Sequence, residues 1–160
     1  MQYMRLGQSN LSVSRLCLGC MGFGSAKSGM HTWTLEERYA HEIIEVALER
    51  GINFFDTAAG YQGGTSEQYL GRAIRDLAQR DKVVIATKFF PRAATAETQQ
   101  SGGDFLKQQL ELSLKNLNTE YIDLYILHAW DYVTPIEETM KALNDAVQRG
   151  KIREIGISNC

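Results

Sequence analysis

Four apolar runs in this sequence end in side chains able to do chemistry. INFFDTA delivers Asp56, with Tyr61 following in AGYQGG; VVIATKF delivers Lys88; YIDLYILH delivers His128; and IREIGIS closes on Ser158 and Asn159. A carboxylate, a phenol, an ammonium and an imidazole have a coherent joint use. A tyrosine hydroxyl ordinarily titrates near about 10, too high for easy proton donation at neutral pH. A lysine cation beside it favours the phenolate. Asp56 can pair with that lysine and keep it charged and oriented, while His128 donates a hydrogen bond to the oxygen of a bound carbonyl. The set reads as a proton relay aimed at a carbonyl oxygen. Carbonyl reduction also needs a hydride, which no side chain supplies, so this reading brings a nicotinamide cofactor with it. Ser158 and Asn159 are natural partners for its carboxamide.

Taken singly, each residue has a plainer reading. Asp56 before Thr57 can be a turn residue, Lys88 can snorkel from a strand end, His128 can be a satisfied core histidine, and Tyr61 can pack in a surface loop. Ser158 and Asn159 are ordinary loop starters. The plainer readings leave unexplained why all of them fall at the ends of apolar runs. Two rival chemistries are weaker. GCMGFG, from Gly19 to Gly24, has the spacing G-x-x-G-x-G, the reverse of the dinucleotide fingerprint. A Schiff-base role for Lys88 needs a desolvated lysine of lowered pKa, and a partner at Asp56 acts against that. Trp33, Trp130 and Tyr132 either line a substrate cleft or pack near the rim.

Positioning these side chains falls to a repeated unit of strand and amphipathic helix. Strand starts at Ile52, Val83, Tyr121 and Ile152 recur at the length of one βα unit, about 30 residues or slightly more, and RLCLGCM from Arg15 fits ahead of them. Helices are expected between them. Thr34 and Glu37 form a capping box for TLEERYAHEIIEVALERG, whose apolar face is Ala40, Ile43, Ile44, Ala47 and Leu48 and which Gly51 closes. Thr134, Pro135 and Glu137 repeat the design for TPIEETMKALNDAVQRG, with Met140, Leu143 and Val147 facing inward and Gly150 at its end. Ser66 is read as the cap of EQYLGRAIRDLA and Asp104 as that of FLKQQLELSLKNL. The segment YMRLGQSNLSVSRL reads as a hairpin around Gln8, Ser9 and Asn10, placed to floor a barrel, and the small polar residues 92 to 103 read as a loop on the functional side. Alternating strands and helices imply a mainly parallel α/β sheet, either doubly wound or a (β/α)₈ barrel, and in both the strand carboxyl ends carry the ligand site.

Composition is that of an ordinary soluble globular protein, with a single domain as the default. The 160 residues are 44% hydrophobic and 22% charged with a net charge of −2, so no strong field recruits nucleic acid or anionic lipid. No apolar stretch is long enough for a signal peptide or membrane span, and the expected location is cytoplasmic. Cys17 and Cys20 form a C-x-x-C, but side chains three apart on a strand point to opposite faces. With no second pair, they and Cys160 are read as reduced thiols, and no metal site is expected.

Jointly, LGQSNLSVSRLCLGCMGFG, GINFFDTAAGY, SEQYLGRAI, VVIATK, YIDLYILHAWD, TPIEETMKAL and GKIREIGISN resemble the aldo-keto reductase family, in particular its bacterial members, with some likeness to the potassium-channel β subunits. The resemblance runs over essentially all of the chain. It implies that Asp56, Tyr61, Lys88 and His128 are the catalytic tetrad, with Tyr61 as general acid. It implies NADP(H) as cofactor, with Ser158 and Asn159 on the carboxamide, Asp56 near the nicotinamide ribose, and the backbone at Cys20 and Met21 in contact with the cofactor. The substrate implied is a small-molecule aldehyde or ketone. The fold implied is an incomplete (β/α)₈ TIM barrel: residues 1–160 supply one domain, truncated at its C-terminal end, comprising the hairpin and five of eight βα units. The sixth to eighth strands, the aromatic that stacks on nicotinamide and the basic residues for the adenosine phosphates are not in this sequence. Its open edges are therefore expected to be covered by further chain or by a second chain. The alternative is a catalytically silent remnant serving as an interaction or regulatory module.

Overall fold

The computed structural model describes residues 1–29, 31–91 and 102–159. Strands β1 (Tyr3–Arg5) and β2 (Ser12–Ser14) form the expected antiparallel hairpin, with Met4 opposite Val13. Then come β3 (Leu18–Gly19), α1 (Glu37–Glu49), β4 (Phe54–Asp56), α2 (Thr65–Leu77), β5 (Val84–Phe89), α3 (Gly102–Leu117), β6 (Ile122–Leu127), α4 (Ile136–Gln148) and β7 (Ile152–Ile157). The five strands β3 to β7 pair in parallel in strictly sequential order. That order excludes the doubly wound alternative, whose strand order reverses at a switch point. The first strand is shorter than expected from RLCLGCM, since only Leu18 and Gly19 pair, with Phe55 and Asp56.

Alternation sorts the strand residues. Phe55, Ile85, Phe89, Tyr125 and Leu127 point outward and, with Ala40, Ile44, Leu70, Ile74, Leu106, Leu114 and Leu143 from the helices, build the main core. Ala86 and Lys88 share the opposite, inner face of β5. Under the strands, the hairpin forms a floor: Leu11 and Val13 pack with Val84, Leu6 and Phe54, and Asn53 bonds to Ser12 and Ser14. A second tie at this end is Asp123, 1% exposed, which accepts from the Ile85 N–H at 3.0 Å and pairs with Arg80 at 2.7 Å and Arg153 at 3.1 Å. Both guanidinium groups also lie over the Tyr121 ring.

Gly51 and Gly150 take left-handed backbone and stop α1 and α4 as expected. The expected N-terminal caps do not form, because each hydroxyl is engaged elsewhere. Helix α1 starts after Glu36; Thr34 is bonded to Gln62 and His31, and Glu37 is paired with Arg72. Helix α2 starts after Gly64, and Ser66, inside it, donates to the Cys20 carbonyl at 2.7 Å. Helix α4 starts after Pro135, and the Thr134 hydroxyl donates to Asp131 at 2.5 Å. Helix α3 starts at Gly102, so Asp104 lies in its first turn rather than ahead of it, and Gly102 and Gly103 belong to helix rather than loop. The remainder of that expected loop, residues 92 to 101, lies outside the described residues, as does Cys160.

Two inward expectations fail in an informative way. Ile43 and Met140 are exposed, and they belong to opposite flanks of the arc. Helix α1 meets α2 through Glu37–Arg72 and His41–Asp76, while Tyr39, Ile43 and Val46 face the other way. Helix α4 meets α3 through Glu138, which accepts from the Gly103 N–H, while Ile136 and Met140 face away. On the last strand Ile157 points outward and, among the described residues, is covered by no helix and is 74% exposed. Among the described residues no helix is long and apolar enough to cross a membrane.

Candidate active site

Parallel register brings the polar strand ends to one level. Asp56 stands opposite Ala86, Lys88 opposite Ile126, and Ile126 opposite Gly156. One pleat is two residues, so Lys88 lies a pleat above Asp56, and His128 a pleat above Lys88 and beside Ser158. The Lys88 side chain bends back to exploit this. Its Nζ donates to Asp56 Oδ1 at 2.5 Å, to the Thr57 carbonyl at 2.8 Å and to the Tyr61 hydroxyl at 3.3 Å. Three oxygen partners around one buried ammonium satisfy its donors and fix its position.

On the other side of Tyr61 stands His128, edge-on to the phenol ring with centroids 5.8 Å apart. Burial lowers the His128 pKa, the nearby Lys88 cation lowers it further, and Asp56 only partly opposes them. The imidazole is therefore neutral at neutral pH. Its Nδ1 is buried and has no hydrogen-bond partner among the described residues. A buried N–H lacking an acceptor is the more costly of the two orphans, so the proton belongs on Nε2. His128 thus presents a neutral imidazole beside the Tyr61 ring.

The remaining sequence-selected residues flank this cluster. The Cys20 N–H donates to the Asp56 carbonyl at 2.7 Å; Cys20 is buried, and Met21 beside it is exposed. Asn159 Nδ2 donates to the His128 carbonyl and to Ser158 Oγ, both at 2.9 Å. A hydroxyl and an amide therefore stand side by side next to His128, with the Asn159 Nδ2 donors already used and the Asn159 Oδ1 acceptor beside the Ser158 hydroxyl, groups of the kind a carboxamide can bond. Cys17 is exposed and Cys20 buried, each a free thiol, and desolvation followed by the Asp56 charge pushes the Cys17 thiol up to about 11. Among the described residues no group of three His, Cys, Asp or Glu is placed to hold a metal ion.

Of the aromatic candidates, Trp130 is half-buried against the main core, Trp33 is exposed and stacked on His31, and Tyr132 is exposed with φ of 59°. Two contributors escaped the sequence reading. Phe90 stacks on His128 with centroids 4.4 Å apart; strand alternation puts it on the face of Lys88, a signal that was present in VVIATKFF. The other is the Thr57 carbonyl under Lys88, which no side-chain pattern reveals.

Comparison with known proteins bears on this arrangement. The model of the Aldo/keto reductase family matches residues 15–160. The chain is 39% identical to aldo-keto reductase AMT2 of Alternaria alternata, over 98% of this chain and 49% of that protein. Its structure is similar to that of an aldo-keto reductase from Bacillus halodurans in its holo form, with a TM-score of 0.82 at 36% identity, covering 99% of this chain and 50% of the other. It is also similar to an aldo-keto reductase from Klebsiella pneumoniae in complex with NADPH, with a TM-score of 0.73 at 31% identity, covering 93% and 46%. The chain spans about half the length of the curated relatives it matches.

Proposed function

The chain belongs to the aldo/keto reductase family, and from that premise we propose that it carries the proton-transfer half of an NADP(H)-dependent reduction of aldehyde or ketone carbonyls to alcohols. The observation that carries this reading is Lys88, whose Nζ is bonded to both Asp56 and the Tyr61 hydroxyl while His128 stands against the same phenol.

The residue roles follow from charge flow. As a bound carbonyl is reduced, its oxygen gains negative charge and needs a proton. Tyr61 supplies the proton, and the phenolate it becomes is stabilised by the Lys88 cation. The neutral His128 donates from Nε2 to the same oxygen and orients it. Asp56 holds Lys88 charged and in place. NADPH, when bound, supplies the hydride. Ser158 and Asn159 would hold its carboxamide, with Asp56 near the ribose and the backbone of Cys20 and Met21 along one side. The Klebsiella pneumoniae relative in complex with NADPH supports the choice of cofactor.

A second reading rests on the flanks. The outward faces at Tyr39, Ile43 and Val46 and at Ile136, Met140 and Ile157 are apolar and exposed. Apolar faces of this extent call for a covering, from further βα units in the same product or from a second chain. Without that covering, the cluster is present but catalytically silent and the chain serves as an interaction module. One experiment separates the two. Saturable quenching of tryptophan fluorescence by NADPH, with reduction of a carbonyl abolished in Tyr61→Phe and binding spared, is the result expected of the enzyme. No quenching at any NADPH concentration would support the silent module.

A further inference from the structure

Immediately after Tyr61 the backbone does something costly. Gln62, Gly63 and Gly64 all take positive φ, at 47°, 60° and 86°. Glycine accepts that conformation freely, but Gln62 does not, and such a residue persists only where its surroundings over-determine it. Gln62 is 3% exposed, and its side-chain amide explains the choice. Nε2 faces three acceptors, the Ser25 carbonyl at 3.0 Å, the His31 carbonyl at 2.7 Å and Thr34 Oγ1 at 3.1 Å, while Oε1 accepts from the His31 N–H at 3.0 Å. One side chain thus ties together both limbs of the segment between β3 and α1.

That segment is also fitted closely around the turn. A Cβ on Gly63 would lie 2.6 Å from the Ser28 carbonyl oxygen, and one on Gly24 would lie 2.6 Å from Gln62 Cβ. Thr65 adds a second stitch, accepting from the Ser25 N–H at 2.9 Å and donating to the Gln62 carbonyl at 2.8 Å. The same segment carries the stacked His31 and Trp33, and a Cβ on Gly22 would come within 3.9 Å of the Trp33 ring. Trp33 is 59% exposed, a large apolar ring left in solvent at the strand-end rim.

We propose that Gln62 is a positioning residue that couples residues 24–29 and 31–34 to the Tyr61 hydroxyl, so that a carbonyl compound touching Trp33 also fixes the orientation of the proton donor. This rests on Tyr61 being the proton donor. Because Gln62 adjoins Tyr61 in a turn with no slack, movement of the segment is transmitted through the Gln62 amide to the phenol. Among the described contacts of Tyr61 are the 3.3 Å approach of Lys88 to its hydroxyl and the edge contact with the His128 ring.

The test uses Gln62→Leu, which removes all four side-chain bonds, and Gln62→Gly, which removes them while suiting the left-handed backbone. Three quantities are read: the rate of tryptic cleavage after the exposed Lys27, the NMR signal of ¹³Cζ-labelled Tyr61 identified by its loss in Tyr61→Phe, and the kcat, KM and NADPH affinity for benzaldehyde reduction. Expected are cleavage at least about tenfold faster, since it follows the population of the opened segment, and a shifted or broadened Tyr61 signal. Turnover should fall on the order of 10- to 100-fold with NADPH affinity unchanged, as a small misplacement of a reacting group would produce. A Tyr61 signal that stays at its wild-type position while cleavage accelerates overturns the coupling, and unchanged cleavage in both variants overturns the clamp. The first two readouts need no turnover. Wild-type rates in Tyr61→Phe would instead refute the proposed role of Tyr61.

Discussion

Replacing Lys88 with methionine keeps the length and packing of the side chain and removes only its charge and its hydrogen-bond donors. Nζ stands 3.3 Å from the Tyr61 hydroxyl oxygen. A unit positive charge at that distance stabilises a full negative charge by about 5 kcal/mol at an effective dielectric of about 20. With roughly half the charge developed on the phenolic oxygen in the transition state, the loss is about 2.5 kcal/mol, or on the order of 10²-fold in the rate of the chemical step. Cofactor affinity should change less than the rate, because among the proposed cofactor partners the described contacts of Lys88 reach only Asp56, near the proposed ribose site, and not the proposed carboxamide partners Ser158 and Asn159. Single-turnover oxidation of NADPH by an aldehyde, followed by stopped flow at saturating cofactor, reads the first quantity, and a fluorescence titration reads the second. A Lys88→Met rate within about threefold of wild type would refute electrostatic support of Tyr61. An affinity loss large enough to account for the whole rate effect would move Lys88 from proton transfer to cofactor binding.

His128 should titrate below its ordinary value of about 6.5, by the burial and the Lys88 charge described above. Between its folded midpoint and about 6.5 the unfolded chain binds the extra proton, so the contribution of this group to stability is complete above that window and is lost as pH falls through it. An imidazole NMR midpoint at or above 6.5 would contradict this. Asp123→Ala should destabilise the fold by about 3 kcal/mol in urea unfolding, the low end for breaking a buried ion pair. The low end applies because Arg80 keeps its bonds to Thr119, Val83 and Tyr121. A loss under about 1 kcal/mol would mean that both guanidinium groups rehydrate without penalty.

Strand ends were legible in the sequence because alternation and βα spacing are written locally: Asp56, Lys88 and His128 each follow an apolar run that pairs as a strand. Helix starts were not. Thr34, Ser66 and Thr134 have the right chemistry for caps, yet each hydroxyl serves a partner set by the surrounding fold: Gln62 for the first, the Cys20 carbonyl for the second, the Asp131 carboxylate for the third. Only the last of these is near in sequence. Gln62 was invisible for a related reason. An amide in AGYQGG looks like loop polarity until the segment from Ser25 to Thr34 is folded around it. The apolar stripes of α1 and α4 were read as wholly inward because periodicity reports an apolar face but not its width, and Ile43 and Met140 sit at edges that no neighbour covers.

The sequential strand order has a consequence for how firmly each part of the site is held. Asp56, Lys88 and His128 come from β4, β5 and β6, which are paired on both sides, whereas Cys20 and Met21 follow the two-residue β3 and Ser158 and Asn159 follow β7, the two outermost strands. Amide exchange should therefore be slowest around residues 84–89 and quicken toward both margins. On the roles proposed above, proton transfer would fall to the centre of the sheet and carboxamide binding to its margins. If Cys20, Met21, Ser158 and Asn159 hold a nicotinamide as proposed, its arrival should be felt first as added protection at β3 and β7 rather than at the residues proposed to move the proton.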